Sequence, residues 1–172
     1  MNVELGAGAR AREGFYAVDL DSTHADIVAD ALHLPFEDGT VDQIRAVDVL
    51  EHISYRNTHL ALAEWARVLR PNGALYVQVP DAEIIMRWYT NSDDRLRKME
   101  GRRCTLLEGA QWRLLGGHGD GKYASDENWK FNAHYAMFSR SSLRMALHDA
   151  GFEVVQMVSN GHPNLLCDAV KP

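Results

Sequence analysis

The chain has 172 residues, 46% of them hydrophobic and 24% charged, with a formal net charge of −6. That length suits one domain burying about 70% of its unfolded surface. The acidic balance disfavours a nucleic-acid partner, because phosphate binding draws on a surplus of Lys and Arg. No apolar run approaches the roughly 18 residues of a membrane span, so no membrane partner is expected. Cys104 and Cys167 have neither metal-ligand spacing nor the pattern of a disulfide framework. A strand at the N-terminus leaves no leader pattern, and the expected location is cytoplasmic.

From the N-terminus, Val3-Glu4-Leu5 predicts a strand over 2–5 that runs into the turn Gly6-Ala7-Gly8. Short apolar strands follow at 15–20 and 26–29, with carboxylates at their ends, Asp19 and Asp30. Leu34-Pro35-Phe36 and Glu37-Asp38-Gly39 read as a loop with an Asp-Gly turn. Gln43 to Val49 is a fourth strand. Asn57 or Thr58 is the expected N-cap of a helix with Leu62, Ala66 and Leu69 at helical spacing. Pro71-Asn72-Gly73 stops that helix before a fifth strand over 74–79. The stretch 84–133 begins helix-like at Ile84 to Tyr89 and then loses its period. Between Arg87 and Arg113 it carries seven basic residues against four acidic ones, and it turns glycine-rich at 116–121. Ser139 opens a second helix with Leu143, Ala146, Leu147 and Ala150 on one face and Gly151 as its stop. Strands over 152–158 and 165–170 bring the count to seven. Strands alternating with helices imply a parallel sheet, and the closing pair implies an antiparallel edge.

Three strand ends carrying a glycine turn or a carboxylate converge on one edge, where open α/β sheets bind ligands. Glycines at 6 and 8 let a ligand approach the backbone and leave amides to face it. A dinucleotide fold places its acid about 20 residues after the glycines. Here Gly8 to Asp19 is eleven positions, too few for a normal helix between them, and no third glycine stands where a pyrophosphate would need one. That spacing argues against a nicotinamide oxidoreductase. His118-Gly119-Asp120 is too little for a metal site, and none is expected.

With these residues and the stretches Asp30-Ala31-Leu32-His33-Leu34-Pro35-Phe36, Val49-Leu50-Glu51-His52-Ile53 and Arg67-Val68-Leu69-Arg70-Pro71-Asn72-Gly73, the chain resembles the class I S-adenosylmethionine-dependent methyltransferases, in the small bacterial branch called type 11. Phe138 to Leu143, running into Ala150-Gly151-Phe152, looks like that branch's closing helix and strand. The resemblance covers roughly 2–80 and 131–172. It implies a Rossmann-like α/β fold of seven mostly parallel strands with an antiparallel C-terminal strand, in one domain over 1–172. The cofactor implied is S-adenosyl-L-methionine. Gly6, Ala7 and Gly8 match the turn against its amino acid end, and Glu4 an acid that orients that turn and the ammonium. Asp19 matches the ribose acid, a bidentate contact that suits a carboxylate, with Asp21 as its competitor. Asp30 and Ala31 match the adenine contact, and Asp48, Val49 and Leu50 the floor beneath the sulfonium. The family's helix after the glycine turn and its N-terminal cover are nearly absent here. Either a single helical turn or a partner subunit, such as a second copy, would then close the pocket.

The implied reaction is methyl transfer to a small molecule, with sugar or natural-product hydroxyls first and amines second. A hydroxyl acceptor profits from a base, and histidine titrates in the right range. The resemblance places His134 near the acceptor, as the expected base. His52 is the second candidate, and Asp81, past the fifth strand, would orient His134 or bind the acceptor. The stretch 84–133 would face the acceptor, with Trp88, Tyr89, Trp112, Tyr123 and Trp129 as pocket walls and its basic surplus suited to an anionic acceptor. The alternative is a non-catalytic protein that binds the cofactor or a partner.

Overall fold

A computed structural model describes residues 1–8, 11–21, 23–91, 97–99, 102–115, 133–159 and 163–172. Seven strands form one sheet: β1 (Asn2–Leu5), β2 (Tyr16–Asp19), β3 (Ile27–Val28), β4 (Val41–Val47), β5 (Leu69–Pro80), β8 (Glu153–Ser159) and β9 (Asn164–Val170). Their order is β3-β2-β1-β4-β5-β9-β8. Strands β1 to β5 are parallel neighbours, whereas β9 runs antiparallel between β5 and β8. The antiparallel strand thus lies inside the closing hairpin, and β8 forms the edge.

The apolar alternation explains the layers. Val3 and Leu5 of β1, Ile44 and Ala46 of β4, and Leu75, Val77 and Val79 of β5 share one face. They are buried with Leu62, Trp65 and Val68 of α1 (Thr58–Val68) and with Leu143 and Leu147 of α4 (Arg140–Asp149). The opposite face carries a row of aligned residues, Glu4, Arg45, Tyr76, Asp168 and Gln156, across five strands. Helix α4 starts in the predicted place, with Ser139 and Ser142 forming a capping box and Gly151 following at φ 87°.

Three local differences from the sequence reading have physical causes. Helix α1 ends at Val68, and Leu69 already pairs with Val41 in the sheet, so Pro71-Asn72-Gly73 is a bulge within β5. A Cβ on Gly73 would stand 2.8 Å from the Arg70 carbonyl oxygen, which fits glycine to that bend. Strand β4 ends at Val47, because Asp48 turns left-handed at φ 54°. The described residues between 82 and 115 are more regular than the sequence pattern suggests. They form α2 (Ala82–Thr90), the paired strands β6 (Arg97–Met99) and β7 (Arg102–Cys104), and α3 (Leu106–Leu115), with α2 packed on α3. The glycine-rich run with His118, and also Tyr123 and Trp129, lie outside the described residues. Among the described residues no helix connects β1 to β2, β2 to β3 or β3 to β4. None is long and apolar enough to cross a membrane.

Candidate active site

The carboxyl ends of β1 to β4 meet along one edge. Gly6 and Gly8 are both left-handed, at φ 60° and 54°. Gly6 donates its amide to the Val18 carbonyl at 2.8 Å, joining the turn to β2. A Cβ on Gly6 would stand 2.5 Å from Cγ2 of Val49, whereas one on Gly8 would meet nothing within 4 Å. The turn is therefore packed on the β4 side and open at its tip, as a ligand-facing turn must be.

The Gly8 amide donates to Oδ2 of Asp19 at 2.9 Å, and the Asp21 amide donates to Oδ1 at 3.0 Å. Each carboxylate oxygen has a further lone pair for a ligand hydroxyl. Asp21 is turned elsewhere. It accepts from the Thr23 amide at 2.8 Å, and the Thr23 hydroxyl and amide hold its carboxyl below the usual range. Glu4 is buried and accepts from the Arg12 amide at 2.6 Å and from Nε of Arg45 at 3.0 Å. The Arg45 guanidinium in turn lies 4.5 Å over the Tyr76 ring. Glu4 thereby ties the segment after the glycine turn to β4.

At the end of β3, Oδ1 of Asp30 accepts from the Leu32 amide at 2.9 Å, which shapes the loop around Ala31. The Ala31 carbonyl accepts from Nε1 of Trp65 at 2.9 Å, and Trp65 is fully buried in α1. Arg67 clamps the next loop. Its Nη1 donates to Phe36 O and Asp38 Oδ1 at 2.9 and 2.7 Å, and its Nη2 to Leu34 O at 3.2 Å. Its Nε and Nη2 also form a fork on Glu64 at 2.7 and 2.8 Å. The Arg67 fork holds the Glu64 carboxyl below its usual value, and the Leu34 amide assists, against the opposing effect of burial. Sequence reasoning assigned Trp65 and Arg67 no role. The one signal was that Arg67 opens the quoted Arg-Val-Leu-Arg-Pro-Asn-Gly stretch.

At the end of β4, Asp48 is exposed and strained, the kind of position that gathers at functional sites. Its amide donates to the Gln78 carbonyl at 3.0 Å, and its Oδ1 accepts from the Gln78 side chain at 3.2 Å. Val49 packs on Gly6, and Leu50 opens a short 3₁₀ turn, Leu50–His52, with its side chain fully buried.

Beyond that turn the structure unites two distant stretches. Residues 133–138 form a strap over the edge. The Tyr135 and Ala136 amides donate to the Glu51 carbonyl at 2.7 and 3.1 Å, and the His134 amide to Leu115 O at 3.1 Å. The strap brings the His134 ring to 4.9 Å from that of His52, edge to face. Nδ1 of His52 bonds the Ala133 carbonyl at 3.1 Å. Ligand atoms of Glu51, His52 and His134 all lie within 4.8 Å of one another, and Glu51 is buried. In the sequence Glu51 stands only within the stretch Val49-Leu50-Glu51-His52-Ile53, and nothing in the local pattern ties it to His134. Asp81 does not join this group. It caps α2, accepting from the Glu83 and Ile84 amides at 3.1 and 3.4 Å, and its Oδ2 accepts from the Ser159 hydroxyl at 2.8 Å. It therefore braces α2 against β8 and does not orient His134.

Comparison with known proteins bears on this edge directly. Residues 6–77 match the family model of a methyltransferase domain, which spans the glycine turn, the three acids and the Glu51-His52 pair. Over those residues the chain is similar to the methyltransferase domain family. Methyltransferase GfsG of Streptomyces halstedii is 39% identical over 79 residues, 46% of this chain and 26% of its own length. The matched part spans about a quarter of the curated relatives' lengths. The complex between the Haloferax volcanii Trm112 methyltransferase activator and a methyltransferase contains a similar chain. The TM-score is 0.64 at 19% identity, covering 99% of this chain and 82% of that one. Burkholderia thailandensis 1,6-didemethyltoxoflavin-N1-methyltransferase, solved with S-adenosylhomocysteine, gives a TM-score of 0.57 at 20% identity, covering 99% and 70%. At such identities the structures establish a shared fold.

Proposed function

We propose that this protein transfers the methyl group of S-adenosylmethionine to a hydroxyl, or secondarily an amine, of a small acceptor such as a sugar or natural product. The observation that carries the reading is the alignment of an open glycine turn, Asp19, Asp30 with Ala31, and Asp48 with Val49 along one sheet edge beside paired imidazoles. Asp19 accepts the two ribose hydroxyls, and Asp30 the adenine amine. The turn at Gly6, Ala7 and Gly8 receives the amino acid end, with Glu4 orienting the turn and the ammonium, and Asp48, Val49 and Leu50 lie beneath the sulfonium. The bound cofactor supplies an electrophilic methyl on positive sulfur. Holding the acceptor in line with it can contribute roughly 7–11 kcal/mol. The acceptor's proton leaves at the Glu51, His52 and His134 cluster, where His134 stands as base, a contribution of typically 10²–10⁴-fold.

All 172 residues act as one domain in this reading, and 84–133 faces the acceptor. The Burkholderia neighbour bears the name of an N-methyltransferase for a small molecule and the Haloferax neighbour was solved with an activator. The first supports a small acceptor and the second a partner; a partner or a second copy would sit on the side where, among the described residues, β1 to β4 lack connecting helices. The test is release of S-adenosylhomocysteine across a panel of hydroxyl and amine acceptors. Acceptor-dependent turnover is expected. Cofactor binding without product on any acceptor would favour the non-catalytic alternative.

A further inference from the structure

We infer that Glu51, His52 and His134 bind one first-row divalent cation, of the class of Zn²⁺, Co²⁺ or Mn²⁺, which takes the oxygen of the methyl acceptor. The site's purpose rests on the methyltransferase reading; its existence does not. Two imidazoles and a carboxylate are a donor set that suits such cations and leaves coordination positions open, whereas Mg²⁺ prefers oxygen ligands. Bonds of about 2.0–2.2 Å place ligand atoms roughly 3.4 Å apart. The three groups lie within 4.8 Å, so a small rotation of half-buried imidazoles completes the site.

A second feature is independent of that distance. A carbonyl oxygen only accepts, so Nδ1 of His52 carries the proton it gives to Ala133. In the neutral ring Nε2 then keeps the lone pair, the tautomer a metal ligand needs, held by the kind of backbone contact usual for ligating histidines. The backbone adds rigidity, since the Glu51 carbonyl holds the strap that presents His134. The place is apt as well: Glu51 lies two residues past Val49, which packs on Gly6 of the cofactor turn. An acceptor hydroxyl on the cation would be acidified. Its proton leaves to water, the oxygen lone pair forms the C–O bond, and the C–S bond breaks with its pair going to sulfur. The product is a neutral thioether. With the cation bound, the imidazoles act as ligands, and His134 is relieved of direct proton abstraction.

The test is Zn²⁺ titration of tag-free, chelator-stripped full-length protein by calorimetry, with Co²⁺ absorption as a second readout. S-adenosylhomocysteine is titrated in parallel. One equivalent of Zn²⁺ is expected, with Mg²⁺ far weaker. His134→Ala and Glu51→Gln should each weaken Zn²⁺ at least tenfold while S-adenosylhomocysteine affinity stays within twofold. His148→Ala, at an exposed histidine, should change nothing. If the buried Glu51 variant fails to fold, His134→Ala carries the result. Absence of stoichiometric Zn²⁺ binding, or equal binding by His134→Ala, overturns the site. Zn²⁺ binding without S-adenosylhomocysteine binding would leave the cation site standing and remove the methyltransferase reading.

Discussion

Gly6 and Gly8 share a backbone conformation for different reasons, and substitution should separate them. Left-handed backbone costs a side chain about 1–2 kcal/mol. At Gly6 a methyl also collides with Val49, while at Gly8 it enters open space. Gly6→Ala should therefore lose more stability in urea than Gly8→Ala and more than tenfold in S-adenosylhomocysteine affinity. Equal stability losses would show that Val49 does not pack on the turn. Asp19 and Asp21 make a second pair. A hydrogen bond to a charged group contributes roughly 1.5–3 kcal/mol. Asp19→Asn should thus weaken S-adenosylhomocysteine at least tenfold, and Asp21→Asn less than threefold; the reverse order would move the ribose to Asp21. The spacing of residues 2–30 identified both acids but left the choice between them open. What distinguishes them is the turn that hands the Asp21 carboxylate to Thr23, a local hydrogen-bonding detail that no periodicity carries.

For the elements, the clamp from α1 on the loop after β3 is the most consequential contact. Arg67 bonds Leu34, Phe36, Asp38 and Glu64, and Glu64 in turn accepts from the Leu34 amide. Arg67→Ala should cost roughly 1–3 kcal/mol of unfolding free energy and raise hydrogen exchange over 31–39; unchanged exchange there would refute the clamp. Its partner sets a pH dependence. The Glu64 carboxyl is depressed in the fold, so its contribution is present above the ordinary value of 4.5 and fades as pH falls through the folded value. The stability gap between wild type and Glu64→Gln should then shrink on acidification below about pH 4.5; a gap constant down to pH 2 would contradict it. The seven strands were readable because alternation, caps and turn residues act within a few positions. The pairing of His52 with His134 was not, because it depends on a strap hung between Leu115 and Glu51. The contacts of Asp81 were hidden for a related reason: its sheet-edge position fits a ligand group, while its carboxylate accepts from the α2 cap amides and from the distant Ser159 hydroxyl.

Across the whole molecule, apolar burial is concentrated on the face shared with α1 and α4, and the opposite face carries the Glu4, Arg45, Tyr76 and Asp168 row. Cys167 lies fully inside that core, and burial, helped by Asp168, pushes its thiol up to about 11. In a Cys104→Ser background, alkylation near neutral pH should therefore follow global unfolding; rapid labelling of the folded protein would show that the β8 and β9 hairpin opens locally. The central claim remains that the strand ends of this sheet hold a sulfur-bearing nucleoside. Calorimetric titration of wild type and Asp19→Ala with S-adenosylhomocysteine, with NADH as competitor, tests it most directly. The expected result is one site per chain, weakened at least tenfold by the substitution and indifferent to NADH. No binding by the wild type, or displacement by NADH, would contradict it.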